Sequence, residues 1–192
     1  MFDVETLDTE STTIILSAAL CYFDPSKHPS FEDLVENSVF VKFNVAEQKQ
    51  MGRTMSKDTM DWWAKQTTTA KEKSFIPSDE DVPANLGIEI LHRYIEKHDP
   101  EQECQFWARG SLDQMCIDSL ARQLGVDVIA PYWAWRDVRT AVDCFCGTTN
   151  GYADVDYEGF LRDNVLKHDP VHDCALDVMM LLYGRSNLHL SK

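Results

Sequence analysis

Two carboxylates stand close together at the start of the chain, in a segment that otherwise predicts a buried strand. Asp3 and Glu5 are separated by one residue in "MFDVET". Because side chains alternate between the faces of a strand, both carboxylates project to the same side. Side by side they repel each other and raise each other's pKa, and a hard cation between them relieves the repulsion. The pair indicates a metal site, while a solvated edge strand with two polar positions explains it equally well.

Two further acids occupy positions where an apolar or inert residue is expected. Asp113 follows the short buried segment "CQFWA" (104–108) and begins a helix, where an N-cap is the alternative explanation. Asp177 lies within an apolar helix, and the helix interior disfavours Asp. His172 precedes Asp177 by five residues, although such a histidine taken alone is more often a surface or capping residue. Asp177 is therefore the acid that is hardest to explain structurally.

Length and composition predict one α/β domain over residues 1–192. No apolar run approaches the roughly 18 residues that span a bilayer, and no signal peptide precedes the first strand, which predicts a cytoplasmic protein without membrane association. The six cysteines lie mostly in apolar periodic segments, which favours reduced, buried thiols. The net charge of −14 argues against a protein that coats DNA, but bound metal ions can supply local positive charge to an enzyme acting on nucleic acid.

One segment departs from the acidic balance of the chain. Between Lys42 and Lys73 seven basic residues stand against four acids, so this segment is the first candidate to face phosphates. Trp62 and Trp63 lie within it, and aromatic rings next to Lys65 could stack on unpaired bases. The alternative is that one tryptophan fills the core and the other covers it.

Apolar periodicity predicts a meander of three strands followed by alternating helices and strands. The predicted strands are 1–5, 12–24, 38–45, 104–108 and 132–135. The predicted helices are 56–66, 82–98, 112–125, 136–145 and 172–184. This order predicts a mixed five-stranded sheet, with three antiparallel strands and two further strands, flanked by helices.

The acidic motifs and two other stretches resemble a known family. "FDVET", "ARGSLD" and "HDCALD", in this order, are similar to the motifs of the DEDD superfamily of 3′–5′ exonucleases, in the subclass with a catalytic histidine. "WWAKQ" (62–66) and "WRDVRT" (135–140) resemble the branch that contains phage exonuclease A and related bacterial 3′–5′ exoribonucleases. The resemblance covers nearly the whole chain and implies an RNase H-like fold. The chain departs from the superfamily in carrying Arg109 and Leu112 where an Asn and an aromatic residue are usual.

The resemblance implies a metal-dependent 3′–5′ exonuclease, and the chemistry of the residues agrees with it. Asp3, Glu5, Asp113 and Asp177 are hard oxygen ligands that suit two Mg²⁺ or Mn²⁺ ions. His172 titrates near working pH and is the predicted general base. Residues five apart on a continuous helix point about 140° away from each other, so His172 is expected on the lead-in to its helix.

Three residues near this motif are predicted to have other roles. Asp169 and Asp173 are predicted to be helix-start charges that the helix dipole favours. His168 is the next candidate for the general base, since it lies close to the same helix on its N-terminal side.

The implied substrate is a single-stranded 3′ end, DNA or RNA, and the implied product is a nucleoside 5′-monophosphate. Thr6 and Leu7 are predicted to abut the terminal nucleotide, Arg109 to pair with a phosphate oxygen, and Trp63 to contact bases. A homodimer is left open, and a phage origin would place the protein in the host cytoplasm. The alternative function is a non-catalytic module that binds nucleic acid or a protein and keeps the fold without the chemistry.

Overall fold

The computed structural model describes residues 1–186, so positions 187–192 of the predicted domain lie outside the described residues. The strands are β1 (Phe2–Thr6), β2 (Ile15–Cys21), β3 (Ser38–Lys42), β4 (Phe106–Ala108) and β5 (Trp135–Asp137). The helices are α1 (Phe31–Glu36), α2 (Val45–Gln50), α3 (Lys57–Ala64), α4 (Thr68–Ala70), α5 (Ala84–His98), α6 (Leu112–Leu124), α7 (Val138–Cys146) and α8 (Pro170–Tyr183). A π-helical turn (Lys71–Phe75) follows α4, and 3₁₀ turns occur at Pro25–Lys27, Tyr132–Ala134 and Arg162–Asn164.

The first three strands form an antiparallel sheet in the order β1-β2-β3, as the meander predicts. Asp3 lies opposite Ala19 and Glu5 opposite Ser17, so small residues on β2 leave space beside both carboxylates. Helix α1 between β2 and β3 was not predicted, although Ser30 and Asp33 form a capping box at its start. The capping signal was present in the sequence but the helix is short.

The prediction of a single five-stranded sheet is not met in the described residues. β4 and β5 pair in parallel with each other and form a separate two-stranded sheet. Each of these strands is three residues long, and β4 packs beside β1 through side chains. The Trp135 ring lies between Phe2 and Phe106, at 5.7 Å and 5.5 Å between ring centroids. Aromatic packing therefore joins the two sheets where a continuous ladder was expected.

Apolar clusters cover both faces of the three-stranded sheet. Phe2 and Val4 point to the face that α5 and α6 cover. Asp3 and Glu5 alternate with them and so point to the opposite face, where Ala19 packs against α7 and α8. Helix α8 packs directly on β1 and β2. The strand period thus directs both carboxylates toward α8.

The starts of α6 and α8 determine how the remaining acids are placed. Ser111 occupies the N-cap position of α6, so Asp113 lies inside the first turn and is not the cap. Asp169 caps α8 by accepting a hydrogen bond from the amide of Val171, with Pro170 as the first helical residue. Helix α8 therefore begins before the predicted residue 172.

Candidate active site

Carboxylates from three elements line one cavity of about 850 Å³ between β1, the start of α6 and α8. They are Asp3 and Glu5 from β1, Asp113 from α6, and Asp173 and Asp177 from α8. The other polar residues that line this cavity, which we call the acid cavity, are Arg109, Ser111, Arg139, Tyr152, Arg162, Lys167 and His168. Residues far apart in the chain, at both of its ends and in its middle, thus meet at one place.

Burial and mutual repulsion raise the pKa values of these acids. Burial, together with the charges of Asp177 and Glu5, raises the pKa of Asp113 to about 8. Burial and the charge of Glu5 raise the pKa of Asp173 to about 7. Burial and the charges of Asp113 and Asp173 hold the pKa of Asp3 well above its usual range. A divalent cation would favour the ionised forms of all of them.

Four of the acids have no lysine or arginine partner among residues 1–186. The ion pairs of this part of the chain include none between such a side chain and Asp3, Glu5, Asp113 or Asp173. Glu5 instead lies next to the His168 ring, with 3.6 Å between Oε1 and Nδ1. Carboxylates that are at least partly buried and lack a lysine or arginine partner suit the hard oxygen ligation of Mg²⁺ and Mn²⁺.

His168 joins this group and takes the place that was predicted for His172. One ligand atom each of Glu5, His168 and Asp173 lie within 4.8 Å of one another. The amide of His168 donates a hydrogen bond to Oδ2 of Asp173 at 3.0 Å. His168 is in the left-handed region, with φ +61°, directly before the residue that caps α8. The expected lead-in to the helix thus exists, and His168 occupies it.

His172, the predicted general base, does not line the acid cavity. Because α8 begins at Pro170, His172 is inside the first turn and its side chain points elsewhere. Its Nδ1 accepts a hydrogen bond from the amide of Leu166 at 3.1 Å, and its ring packs edge-on against Phe31 at 5.3 Å. Burial lowers the pKa of His172. The ring holds the preceding segment against α1.

Asp177 lines the acid cavity, but its carboxylate is already paired. Arg109 donates from Nε to both oxygens of Asp177 at 3.1 Å, and from Nη2 to Oδ1 at 2.5 Å. This pairing does not support the prediction that Asp177 is a metal ligand, whereas Asp173, one turn earlier on α8, lines the same cavity and has no arginine partner within residues 1–186. The spacing of His168 and Asp173 in "HDPVHD" equals that of His172 and Asp177 in "HDCALD", so the sequence contained the signal in a second register.

Comparison with known proteins identifies the family of the chain. The family model described as a 3′–5′ exoribonuclease Rv2179c-like domain matches residues 1–183. The chain belongs to this Rv2179c-like family. It is also 30% identical to a protein named exodeoxyribonuclease from Enterobacteria phage T4, over 96% of this chain and 87% of the relative. The chain is thus a 3′–5′ exonuclease, and the alternative of a module without catalytic activity is set aside.

Two residues predicted to contact substrate in this Rv2179c-like exonuclease, Leu7 and Trp63, are buried, whereas Thr6 is partly exposed. Leu7 is 3% exposed, and Trp63 is fully buried with its ring stacked on Phe75. Thr6 donates its hydroxyl to the carbonyl of Asp8, and its own carbonyl accepts from Nε1 of Trp63 at 2.9 Å. Leu7 and Trp63 therefore belong to the core, because apolar patterning does not distinguish a core ring from a substrate-facing one.

We expect Trp63→Phe to lower the free energy of unfolding by about 2 kcal/mol, because it leaves the buried Thr6 carbonyl without its hydrogen bond and removes ring volume. Trp62→Phe is the matched control, since Trp62 is 40% exposed and should change stability by less than about 0.5 kcal/mol. Urea unfolding of both variants measures the difference. Equal losses would contradict the assignment of Trp63 to the core.

The basic segment between Lys42 and Lys73 does not form one phosphate-facing surface. Lys42 is buried and pairs with Asp81 at 3.5 Å. Arg53 is buried and donates to backbone carbonyls, among them that of Thr13 at 2.7 Å. Sequence charge counting missed both because it cannot separate buried from exposed cations.

Within residues 1–186 the Rv2179c-like exonuclease also has no helix long and apolar enough to cross a membrane.

Proposed function

We propose that this exonuclease hydrolyses single-stranded nucleic acid from the 3′ end, releases nucleoside 5′-monophosphates, and uses two divalent metal ions. The proposal also assigns the chain to the catalytic-histidine subclass. The observation that carries it is the acid cavity, in which four carboxylates without a lysine or arginine partner lie beside one histidine. Single-strand preference rests on the resemblance in the motifs and is part of the proposal.

Asp3, Glu5, Asp113 and Asp173 are the proposed ligands of Mg²⁺ or Mn²⁺. Their oxygens come from a strand and two helices, which are rigid elements that hold ligands in place. When bound, two divalent ions lower the pKa of water and offset the charge that develops on the attacking and leaving oxygens of a phosphodiester. Without such ions the raised pKa values of these acids favour their neutral forms.

His168 is the proposed general base. Its Nδ1 lies beside Glu5, so Nε2 is the ring nitrogen left to accept a proton from the attacking water. The water oxygen forms a bond to phosphorus, the bond from phosphorus to the 3′-oxygen of the preceding nucleotide breaks, and that oxygen takes up a proton. The hydrogen bond from the His168 amide to Asp173 fixes the backbone that carries the imidazole ring.

The substrate strand is proposed to leave the acid cavity past Arg162 and Lys167. Both residues also line a neighbouring cavity of about 550 Å³, which contains Lys73. Basic side chains that line both cavities are suited to successive phosphates. Trp62 is 40% exposed and lies edge-on to His168 at 4.6 Å, so it replaces Trp63 as the proposed ring for stacking on a base.

Digestion of oligonucleotides labelled at the 5′ end, DNA and RNA in parallel, tests the proposal. We expect products that shorten one nucleotide at a time from the 3′ end in Mg²⁺ or Mn²⁺, and no products in excess EDTA. Both substrates are needed because the family model is described as an exoribonuclease and the phage T4 relative is named an exodeoxyribonuclease. Hydrolysis that continues in excess EDTA, or cleavage that begins within the strand, would contradict the proposal.

A further inference from the structure

The Arg109 side chain is held from three sides at the wall of the acid cavity. The Asp177 carboxylate accepts hydrogen bonds from Nε and Nη2 of Arg109, and the carbonyl of Gly151 accepts one from Nη1 at 2.8 Å. The guanidinium carbon lies 4.3 Å from the centre of the Tyr152 ring. The side chains of Arg109 and Asp177 are only 13% and 9% exposed. A guanidinium bound in this way has one position and one orientation.

The segment that supplies Gly151 and Tyr152 is itself anchored. The amide of Gly151 donates to Oδ1 of Asp143 on α7 at 2.8 Å. Gly151 has φ +73°, and a Cβ at this position would lie 2.7 Å from the Arg139 side chain. A residue larger than glycine would therefore clash with Arg139 and displace one of the two segments. The Gly151 carbonyl that accepts the hydrogen bond from Nη1 is thus held in place by the contacts of its own segment.

Two N–H groups of Arg109 are left without a protein acceptor in the described part of the chain. A guanidinium has five N–H donors, and the bonds to Asp177 and Gly151 use one on each nitrogen. A charge-assisted contact from a fixed guanidinium to a phosphate oxygen is strong and directional. It also needs little reorganisation when negative charge develops.

Without Asp177, the same guanidinium would have other carboxylates to bind. Asp3 lies near enough that its charge acts on Arg109. An arginine that folded onto Asp3 would compete with a metal ion for that carboxylate. The pairing with Asp177 occupies the Nε edge of the guanidinium and holds it at the cavity wall.

We propose that Asp177 is a positioning residue, which fixes Arg109 so that its two remaining N–H groups meet a non-bridging oxygen of the scissile phosphodiester. The inference rests on the proposed function and assigns Asp177 a role other than metal binding. Arg109 is the residue that contacts substrate, and Asp177 acts through it. Tyr152 and Gly151 complete the support on the side away from α8.

A double-mutant cycle on single-turnover hydrolysis tests the inference. At saturating oligonucleotide, Arg109→Met should lower the rate about 10²-fold, as for the loss of one preorganised donor. Asp177→Asn should lower it about tenfold, and the double variant should be no slower than Arg109→Met alone, because Asp177 acts through Arg109. Asp118→Asn is the matched control, since Asp118 is buried and pairs with Arg122 on α6 outside the cavity.

Binding of Mn²⁺ without substrate provides a second readout that a metal ligand would change. Asp177→Asn should bind Mn²⁺ within about twofold of the wild-type protein, since the ligands are elsewhere. Rate losses that multiply in the double variant, or a loss of Mn²⁺ affinity in Asp177→Asn, would overturn this inference and leave the proposed function intact. A wild-type protein that binds Mn²⁺ but hydrolyses no oligonucleotide would overturn the proposed function, and the positioning role with it.

Discussion

His168→Ala is expected to lower the rate of single-turnover hydrolysis by about 10²–10⁴-fold, which is the usual effect of losing a general base. His172→Asn should retain activity within about threefold, because His172 lies outside the acid cavity and the Asn side-chain oxygen can still accept the hydrogen bond from the Leu166 amide. The two histidines lie four residues apart in one segment, so each variant is a control for the other. Rates are measured with the same oligonucleotide at saturating Mg²⁺.

Two additional measurements separate a missing base from a damaged site. Because His168→Ala retains all four proposed ligands, its Mn²⁺ affinity should stay close to that of the wild-type protein. Added imidazole should restore part of the activity of His168→Ala, since it can occupy the emptied position and accept the proton. A His168→Ala protein with near-normal turnover, or a His172→Asn protein that is folded but inactive, would contradict the assignment.

Asp113→Asn should reduce hydrolysis by at least about 10³-fold, because an amide cannot replace a carboxylate in holding divalent ions that contribute several kcal/mol. The fold should tolerate the change. Asp113 has a pKa of about 8, so in the absence of metal it is mostly neutral at pH 7 and close in shape to the amide. The loss should therefore appear in activity and in metal binding, with little change in metal-free stability.

Thermal unfolding with and without Mn²⁺ measures the metal-binding part of this prediction. A ligand at 100 times its Kd stabilises a protein by about 2.7 kcal/mol, and this raises the Tm of a chain of this size by about 5–10 °C. Asp113→Asn should lose most of this rise, whereas Asp118→Asn on the same helix should keep it. An unchanged Mn²⁺-dependent rise in Asp113→Asn would show that Asp113 is not a ligand.

The sequence was sufficient for three of the five acids in the cavity and ambiguous for the other two. The strand period placed Asp3 and Glu5 on one face, and the helix that follows a buried strand placed Asp113 beside them. The segment "HDPVHDCALD" contains the same histidine-to-aspartate spacing twice. Only the start of α8 distinguishes the two registers, and Asp169-Pro170 was the available signal for that start.

The pairing of the short strands and the residues that contact substrate were harder to predict for a different reason. Strands of three residues, such as β4 and β5, carry too little pattern to show which strand they pair with. Tertiary packing decides that Trp63 is buried and Trp62 exposed, and two adjacent tryptophans give no local signal for this. Arg109 in place of the usual Asn was visible in the sequence, but its partner Asp177 is 68 residues away.

The hydrogen bond between the His168 amide and Asp173 bears on how an inactive protein for substrate capture should be made. Replacing Asp173 would remove a proposed ligand and also loosen the backbone that presents the histidine. An oligonucleotide bound to an Asp173 variant would then show the geometry of a rearranged cavity. Asp113 lies on another helix and forms no such bond to the His168 segment, so Asp113→Asn is the better choice for crystallising a bound strand.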